Sequence, residues 1–200
     1  MEFIDTVEGL EALYGTPGAA SLRKVAHQLT PLYTRWIAAS RFAVLSTVGP
    51  GGTDGSPRGD DGPVATPLDA HTLAMPDWRG NQRLDSLRNI VQDGRVSLMF
   101  MVPGSNTVVR VNGHARLTAD AGLRARFQQK GRQPATVIVI AVGEVYTQCA
   151  RAVMRAGLWS RDDAPGLPTP GDILAEVSDG AEGGAAYDAE WPARAAQTMW

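Results

Sequence analysis

The sequence predicts a mainly β (α+β) fold: an antiparallel barrel or sheet of about six strands with short helices at its periphery. Three observations carry this reading. The apolar runs between residues 42 and 146 are short, often alternating and rich in β-branched residues. Glycine and proline punctuate them, most densely in GPGGTDG at 49–55. The stretches with helical spacing that separate them are too short for the crossover helices of a doubly wound parallel sheet.

The elements follow in order. Ile4, Val7, Leu10 and Leu13 recur at helical spacing and predict a first amphipathic helix that ends near Gly15. A second helix is expected from Gly18 to Leu29 and a third from Pro31 to Ala39, with proline suited to the first turn. Phe42 to Val48 is a compact apolar strand, GPGGTDG a flexible turn, and Ser56 to Asp60 the start of the return strand. A Gly/Pro-rich link then leads past Val64 to a strand at His71 to Met75. Leu84, Leu87, Ile90 and Val91 keep helical spacing, so a helix is expected to start near Asn81 to Arg83. Arg95 to Val102 and Val108 to Leu117 read as strands, with Asn112-Gly113 a bulge or tight bend in the second. Ala121 to Gln129 has helical character. Thr136 to Val142, extending through Tyr146, is the strongest β signal of the chain. A short helix is expected from Ala150 to Ala156. From Asp162 onward Pro, Gly, Asp and Ala dominate, apart from Ile173 to Val177, and this tail is expected to be partly ordered at best, or ordered only by packing on a partner.

Composition narrows the function. Two hundred residues can bury a real core, and one domain is the default. The net charge of −2 provides no global basic field for nucleic acid or an anionic membrane. Seventeen of the 19 basic residues are arginine, which makes forked, permanently charged donors available wherever a site needs them. A single cysteine, Cys149, excludes an intrachain disulfide and any cysteine-built zinc site. The N-terminal stretch MEFIDTVEGLEALYG is acidic and lacks an apolar signal core, so a cytoplasmic, reduced location is expected.

Several motifs fail on inspection. GPGGTDG has Asp54 where a dinucleotide-binding loop needs its last glycine, and it precedes a strand rather than a helix. Ser56 is not framed as a nucleophile elbow. His27, His71 and His114 lack metal-ligand spacing. Arg58-Gly59-Asp60 spells an adhesion tripeptide by coincidence, and Cys149 at the end of an apolar strand reads as a small core residue.

What survives is a set of arginines placed where strands begin, end or alternate: Arg58, then Arg79 and Arg83 in PDWRGNQR (76–83), then Arg110. A half-buried guanidinium is costly unless paired. Two explanations compete: ion pairs with the nearby Asp60, Asp77 and Asp85, or forked donation to a phosphate assisted by amides at a helix start. Trp78 and Trp159 are candidates to flank a planar ligand, against the ordinary use of tryptophan as core filler.

These segments together resemble the pyridoxamine 5'-phosphate oxidase-like family. The resemblance is carried by Phe42-Ala43-Val44-Leu45-Ser46-Thr47, Ser56-Pro57-Arg58-Gly59-Asp60, the run Pro76 to Ser86, Arg95 to Phe100, Pro103-Gly104 and Arg110-Val111-Asn112-Gly113. A bacterial subgroup also shares Cys149-Ala150-Arg151-Ala152 and Arg155-Ala156-Gly157-Leu158-Trp159. The resemblance covers residues 40 to 165 or so and implies a split β-barrel homodimer with FMN at the subunit interface, acting as an oxidoreductase on a small molecule. In domain terms it implies N-terminal helices (1–40) packing on the barrel, an FMN-binding split barrel (41–160) and a C-terminal tail (161–200). By position, Arg58 matches an FMN-phosphate arginine, and Arg79, Asn81 and Arg83 fall in the turn that completes the phosphate and ribityl cradle. Trp78, Gly80 and Ser86 share that segment. Arg110 and Asn112 lie on the strand that approaches the flavin ring in relatives, and Arg155 and Trp159 match a C-terminal segment expected to reach the flavin, of its own or of the other subunit. Alternatives within reach of the same fold are a non-catalytic flavin- or haem-binding sensor or carrier, and a reductase using the deazaflavin F420.

The chain also departs from the pattern. Thr107-Val108 stands where many subgroup members have Glu-Thr, and the ring-contacting glutamine that the oxidase proper carries near Val108 is missing. The C-terminal substrate-phosphate arginines and histidine of true pyridoxamine phosphate oxidases have no counterparts. FMN binding is thus better supported than oxidation of pyridoxamine phosphate.

Overall fold

In the computed structural model, which describes residues 1–200, the strand-forming runs assemble into one antiparallel sheet. Its strands are β1 (Phe42–Gly49), β2 (Gly52–Gly59), β3 (Thr66–Pro67), β4 (Thr72–Asp77), β5 (Arg95–Met101), β6 (Val108–Thr118) and β7 (Thr136–Gln148). They lie in the order β2-β1-β5-β6-β7-β4-β3. The sheet does not close, since β2 and β3 remain as edges, and curls in the manner of a split barrel. The helices are α1 (Val7–Tyr14), α2 (Ala19–Arg23), α3 (Pro31–Ala38), α4 (Asp85–Gln92), α5 (Ala121–Ala125), α6 (Arg151–Ala156), α7 (Pro170–Val177) and α8 (Gly184–Thr198).

The alternation read from the sequence sets the two faces. Ala43, Leu45, Val96, Leu98, Phe100, Val109, Val111, Ile138 and Ile140 turn to one side and form a continuous core. Burying each large side chain contributes about 1.5–3 kcal/mol relative to exposure. α3 covers this core with Ile37, Tyr33 and Trp36, and α4 does so with Ile90 and Leu87. α1, by contrast, buries no residue. β6 and β7 form the longest ladder, and the expected irregularity falls between Asn112 and Gly113. There a side chain at Gly113 would run into the Ala141 carbonyl, so the bulge needs glycine for close backbone approach.

Several boundaries differ from the sequence reading, each for a local reason. β2 begins at Gly52, because Pro50-Gly51 alone closes the hairpin in a two-residue turn. α2 stops at Arg23, where an extended segment takes over: Ala26 exchanges both backbone bonds with Val145, at 2.9 and 2.7 Å, and Leu29 is buried. β4 continues through Pro76 to Asp77. α4 starts at Asp85 rather than near Asn81, since the Asn81 side chain accepts the Arg83 backbone N–H and Gln82 and Leu84 are left-handed. The segment after Asp162 carries two helices where a largely irregular tail was expected. α7 is started by a capping box between Thr169 and Asp172, with Pro170 in its first turn.

Candidate functional site

The edge hairpin and the end of β4 build the site. Along β2 the partly buried positions are Asp54, Ser56 and Arg58, and the next alternate residue is Asp60. Arg58 stands opposite Ala43, so it shares the core face of the sheet. At the far end of the curl, β4 carries Asp77 to the same place, and Arg58 Nη1 donates to Asp77 Oδ1. The pair is largely removed from water, with 17% and 14% of the two side chains exposed. It ties one edge of the open sheet to the strand next to the other.

Asp60 extends the network. Its Oδ2 accepts from Trp78 Nε1 at 2.7 Å, and its Oδ1 accepts from Gln129 Nε2 at 2.5 Å and from the Gly62 amide at 3.2 Å. The indole of Trp78 is thus fixed by a carboxylate from a different strand. Asp54 accepts from Ser86 Oγ in the first turn of α4. Arg83 is mostly exposed and bonds Asp85 Oδ2 at 2.9 Å.

All of these residues except Ala43, Gln129 and Gly62 line one cleft of about 1590 Å³, above the ~300–1,000 Å³ of most small-molecule sites. Its wall contains Arg58, Trp78, Arg79, Gly80, Asn81, Arg83 and Ser86 from the sequence-derived set. Five arginines (58, 79, 83, 124 and 132) face four aspartates (54, 60, 77 and 85) across it. Ion pairing therefore explains two of the arginines, Arg58 and Arg83, as one of the two sequence readings held. Arg79, Arg124 and Arg132 have no carboxylate partner, and Arg58 Nε is buried without any partner. The cleft thus keeps forked donor capacity after its internal pairs are counted.

The remaining four residues lie elsewhere in the chain. Arg110 stands opposite Met99 and Tyr146, which puts it on the face of the sheet away from the core and away from Arg58. Its Nη1 donates to Tyr146 Oη at 3.3 Å, Nη2 lies 3.9 Å from Met99 Sδ, and Nε is buried without a partner. On the same face Asn112 Nδ2 donates to Glu144 Oε1 at 2.7 Å. Arg155 is exposed, and Trp159 donates its indole N–H to the Ser105 carbonyl at 2.8 Å. None of the four lines the cleft. The helix start expected to aim amides from Asn81 to Arg83 lies instead at Asp85, behind a left-handed Leu84.

Sequence reasoning missed other members. Asp54, Gln129, Arg132, Met199 and Trp200 also belong to the site. Asp54 was visible as an inward position two and four residues before Ser56 and Arg58. Nothing local signals that Met199 and Trp200 return to the cleft.

The family model described as pyridoxamine 5'-phosphate oxidase matches residues 29–149. The chain belongs to this family. The match runs from two residues before α3 to one residue past β7, so it contains the whole sheet and most of the cleft wall. A comparison with curated proteins finds no match. Among solved structures, the pyridoxamine 5'-phosphate oxidase family chain is similar to HupZ of Group A Streptococcus, at 18% identity over 60% of this chain and 93% of that one, with a TM-score of 0.48. It is similar to General Stress Protein 26 of Bacillus anthracis, at 18% identity over 57% and 88%, with a TM-score of 0.44. It is also similar to an FMN-binding protein of Syntrophomonas wolfei, at 10% identity over 72% and 97%, with a TM-score of 0.47. No helix of the chain is long and apolar enough to cross a membrane.

Proposed function

We propose that the chain binds FMN in the Arg58–Trp78 cleft and acts as an FMN-dependent oxidoreductase on a small molecule. The observation that carries this reading is Arg58: a guanidinium on the core face, held by Asp77, whose Nε is buried and still lacks an acceptor. A phosphate oxygen would satisfy it. The family assignment supports the same cofactor class.

The donor set fits such a group. Arg58 and Arg79 supply charge for the phosphate, Asn81 supplies amide donors toward the ribityl chain, and Gly80 faces open space that lets a ligand approach the backbone. Arg83 contributes less, being exposed and already bonded to Asp85. Asp77 keeps the Arg58 fork in place, and Asp60 keeps the Trp78 plane in place, so little side-chain freedom is lost on binding. FMN itself supplies the hydride or electron transfer, and the protein orients it and sets its electrostatic environment.

The proposal includes a homodimer. Arg110 and Asn112 lie on the opposite face from Arg58, so one cofactor can meet both sets only if a second copy brings its outer face to the cleft. Phe42, exposed on that outer face, supports a covered surface there. Titration of FMN into purified protein, followed by flavin fluorescence, tests the reading. Saturable binding by a dimer in light scattering is expected, and Arg58→Ala should weaken it roughly tenfold to a hundredfold. No FMN binding by the unaltered protein, or a Soret band in place of flavin absorbance, overturns it.

A further inference from the structure

A turn inside the family-matched region and the C-terminal residues beyond it together close the Trp78 end of the cleft. Residues 129–132, Gln-Lys-Gly-Arg, form a two-residue reversal in which Gln129 and Arg132 exchange backbone bonds at 2.9 and 2.8 Å. Lys130 and Gly131 are both left-handed, at φ 48° and 78°, as a tight hairpin turn of this hand requires. The turn holds two tryptophans. Through Gln129 it grips Asp60, which holds Trp78. Through Lys130 and Arg132 it grips Trp200: the Lys130 ammonium lies 4.9 Å from the Trp200 ring centre, and Arg132 Nη1 donates to the carbonyls of Gln197 and Trp200 at 3.1 and 2.5 Å. The two indoles meet edge to face, with centroids 5.2 Å apart and planes at 84°.

The segment that delivers Trp200 is otherwise self-contained. α7 and α8 pack on each other, and Asp188 of α8 bonds the Thr169 hydroxyl and the Gly171 amide at 2.5 and 2.9 Å. Their side-chain hydrogen bonds to the sheet domain are the two from Arg132. The linker at residues 161–169 is exposed throughout. The helical hairpin is thus moored mainly by its last residues, at a wall of the proposed ligand site.

We infer that Trp200 is an intrachain latch: it occupies the aromatic place on Trp78 and is displaced when a planar, phosphate-bearing ligand enters the cleft, which frees the α7–α8 hairpin. The ligand part of this inference rests on the FMN reading; the mooring does not. Three attractions hold the latch, an aromatic pair, a cation–π contact and hydrogen bonds to Arg132, each modest at a partly exposed site. The latch is therefore strong enough to populate the closed state and weak enough for a ligand to open it.

Hydrogen exchange and trypsin cleavage after Arg194, inside α8, in the full chain, with FMN as the probe, test both parts. Without ligand, Trp200→Ala should raise exchange across α7 and α8 and the cleavage rate by about tenfold, with the sheet unaffected, while Trp200→Phe largely restores protection. Arg132→Ala should act in the same direction. FMN should release the hairpin in the unaltered protein, and Trp200→Ala should bind FMN several-fold more tightly. Unchanged hairpin protection in ligand-free Trp200→Ala overturns the latch. Weaker FMN binding by that variant also overturns it, since Trp200 would then be a wall that holds the ligand. If neither protein binds FMN, the flavin reading fails and the ligand-free exchange decides the latch.

Discussion

Arg58 and Arg110 are two half-buried arginines on one sheet, and they are solved differently. Arg58, on the core face, bonds a carboxylate from a strand near the opposite edge. Arg110, on the outer face, has a phenol at 3.3 Å and a thioether sulfur, and no carboxylate. Both keep a buried Nε without a partner. The difference teaches where the chain is self-sufficient. The cleft face has assembled its own counter-charges and is preorganised. The outer face leaves a half-buried cation with no carboxylate beside it.

The largest expected effect tests the first half of that contrast. Asp77→Ala leaves Arg58 largely buried and unpaired, and should lower the unfolding free energy by about 2–3 kcal/mol in a denaturant titration. Tyr146→Phe, which removes the hydroxyl beside Arg110, should lower it by about 0.5–1 kcal/mol, because a neutral, long hydrogen bond is lost there. Equal losses would erase the comparison. Next comes the cofactor: Arg83→Ala should weaken FMN binding far less than Arg58→Ala, by roughly threefold or under, since its exposed guanidinium is screened and already shared with Asp85. A hundredfold loss from Arg83→Ala would move the phosphate from the core face to the turn.

The smallest effect lies at an exposed pair between α4 and β5. The Arg95 side chain and backbone N–H hold the Asp93 carboxyl from its ordinary 3.8 down to about 2. Its folded value lies below its unfolded value, so its contribution is complete above about pH 4 and is lost as pH falls toward 2. Asp93→Asn should be less stable than the unaltered protein above about pH 4, and that difference should vanish as pH falls toward 2. A difference that persists at pH 7 and vanishes in acid would fit; a constant difference at all pH values would show that the pair's charge is irrelevant.

Much of the sheet was legible because strand alternation and glycine punctuation are local properties. The strands expected from 42 to 146 are all present, and the bend at Asn112-Gly113 falls where those two residues stand. Helix limits were less legible. A helix was expected from Gly18 to Leu29, yet α2 stops at Arg23 and Ala26 pairs instead with the distant Val145, a contact no local pattern encodes. Asn81 was read as a helix start because helix periodicity continues beyond it, but its side-chain bond to Arg83 N–H holds a turn there and the helix begins only at Asp85. In the site, PDWRGNQR was visible as a dense group of donors, and Arg58 as its companion. The carboxylates that claim part of that donor capacity were visible only as neighbours in sequence.

By itself the sequence determined the alternation of faces, the position of the bulge, the exclusion of disulfide and cysteine–zinc chemistry, and the cluster of arginines near Trp78. These depend on residue type and spacing over a few positions. The tertiary structure alone decided that Arg58 pairs with Asp77, that Arg110 lies on the opposite face, and that Trp200 returns to Trp78. Each of those facts depends on sheet curvature and strand order, which bring together residues far apart in the chain, and no local pattern encodes such a closure.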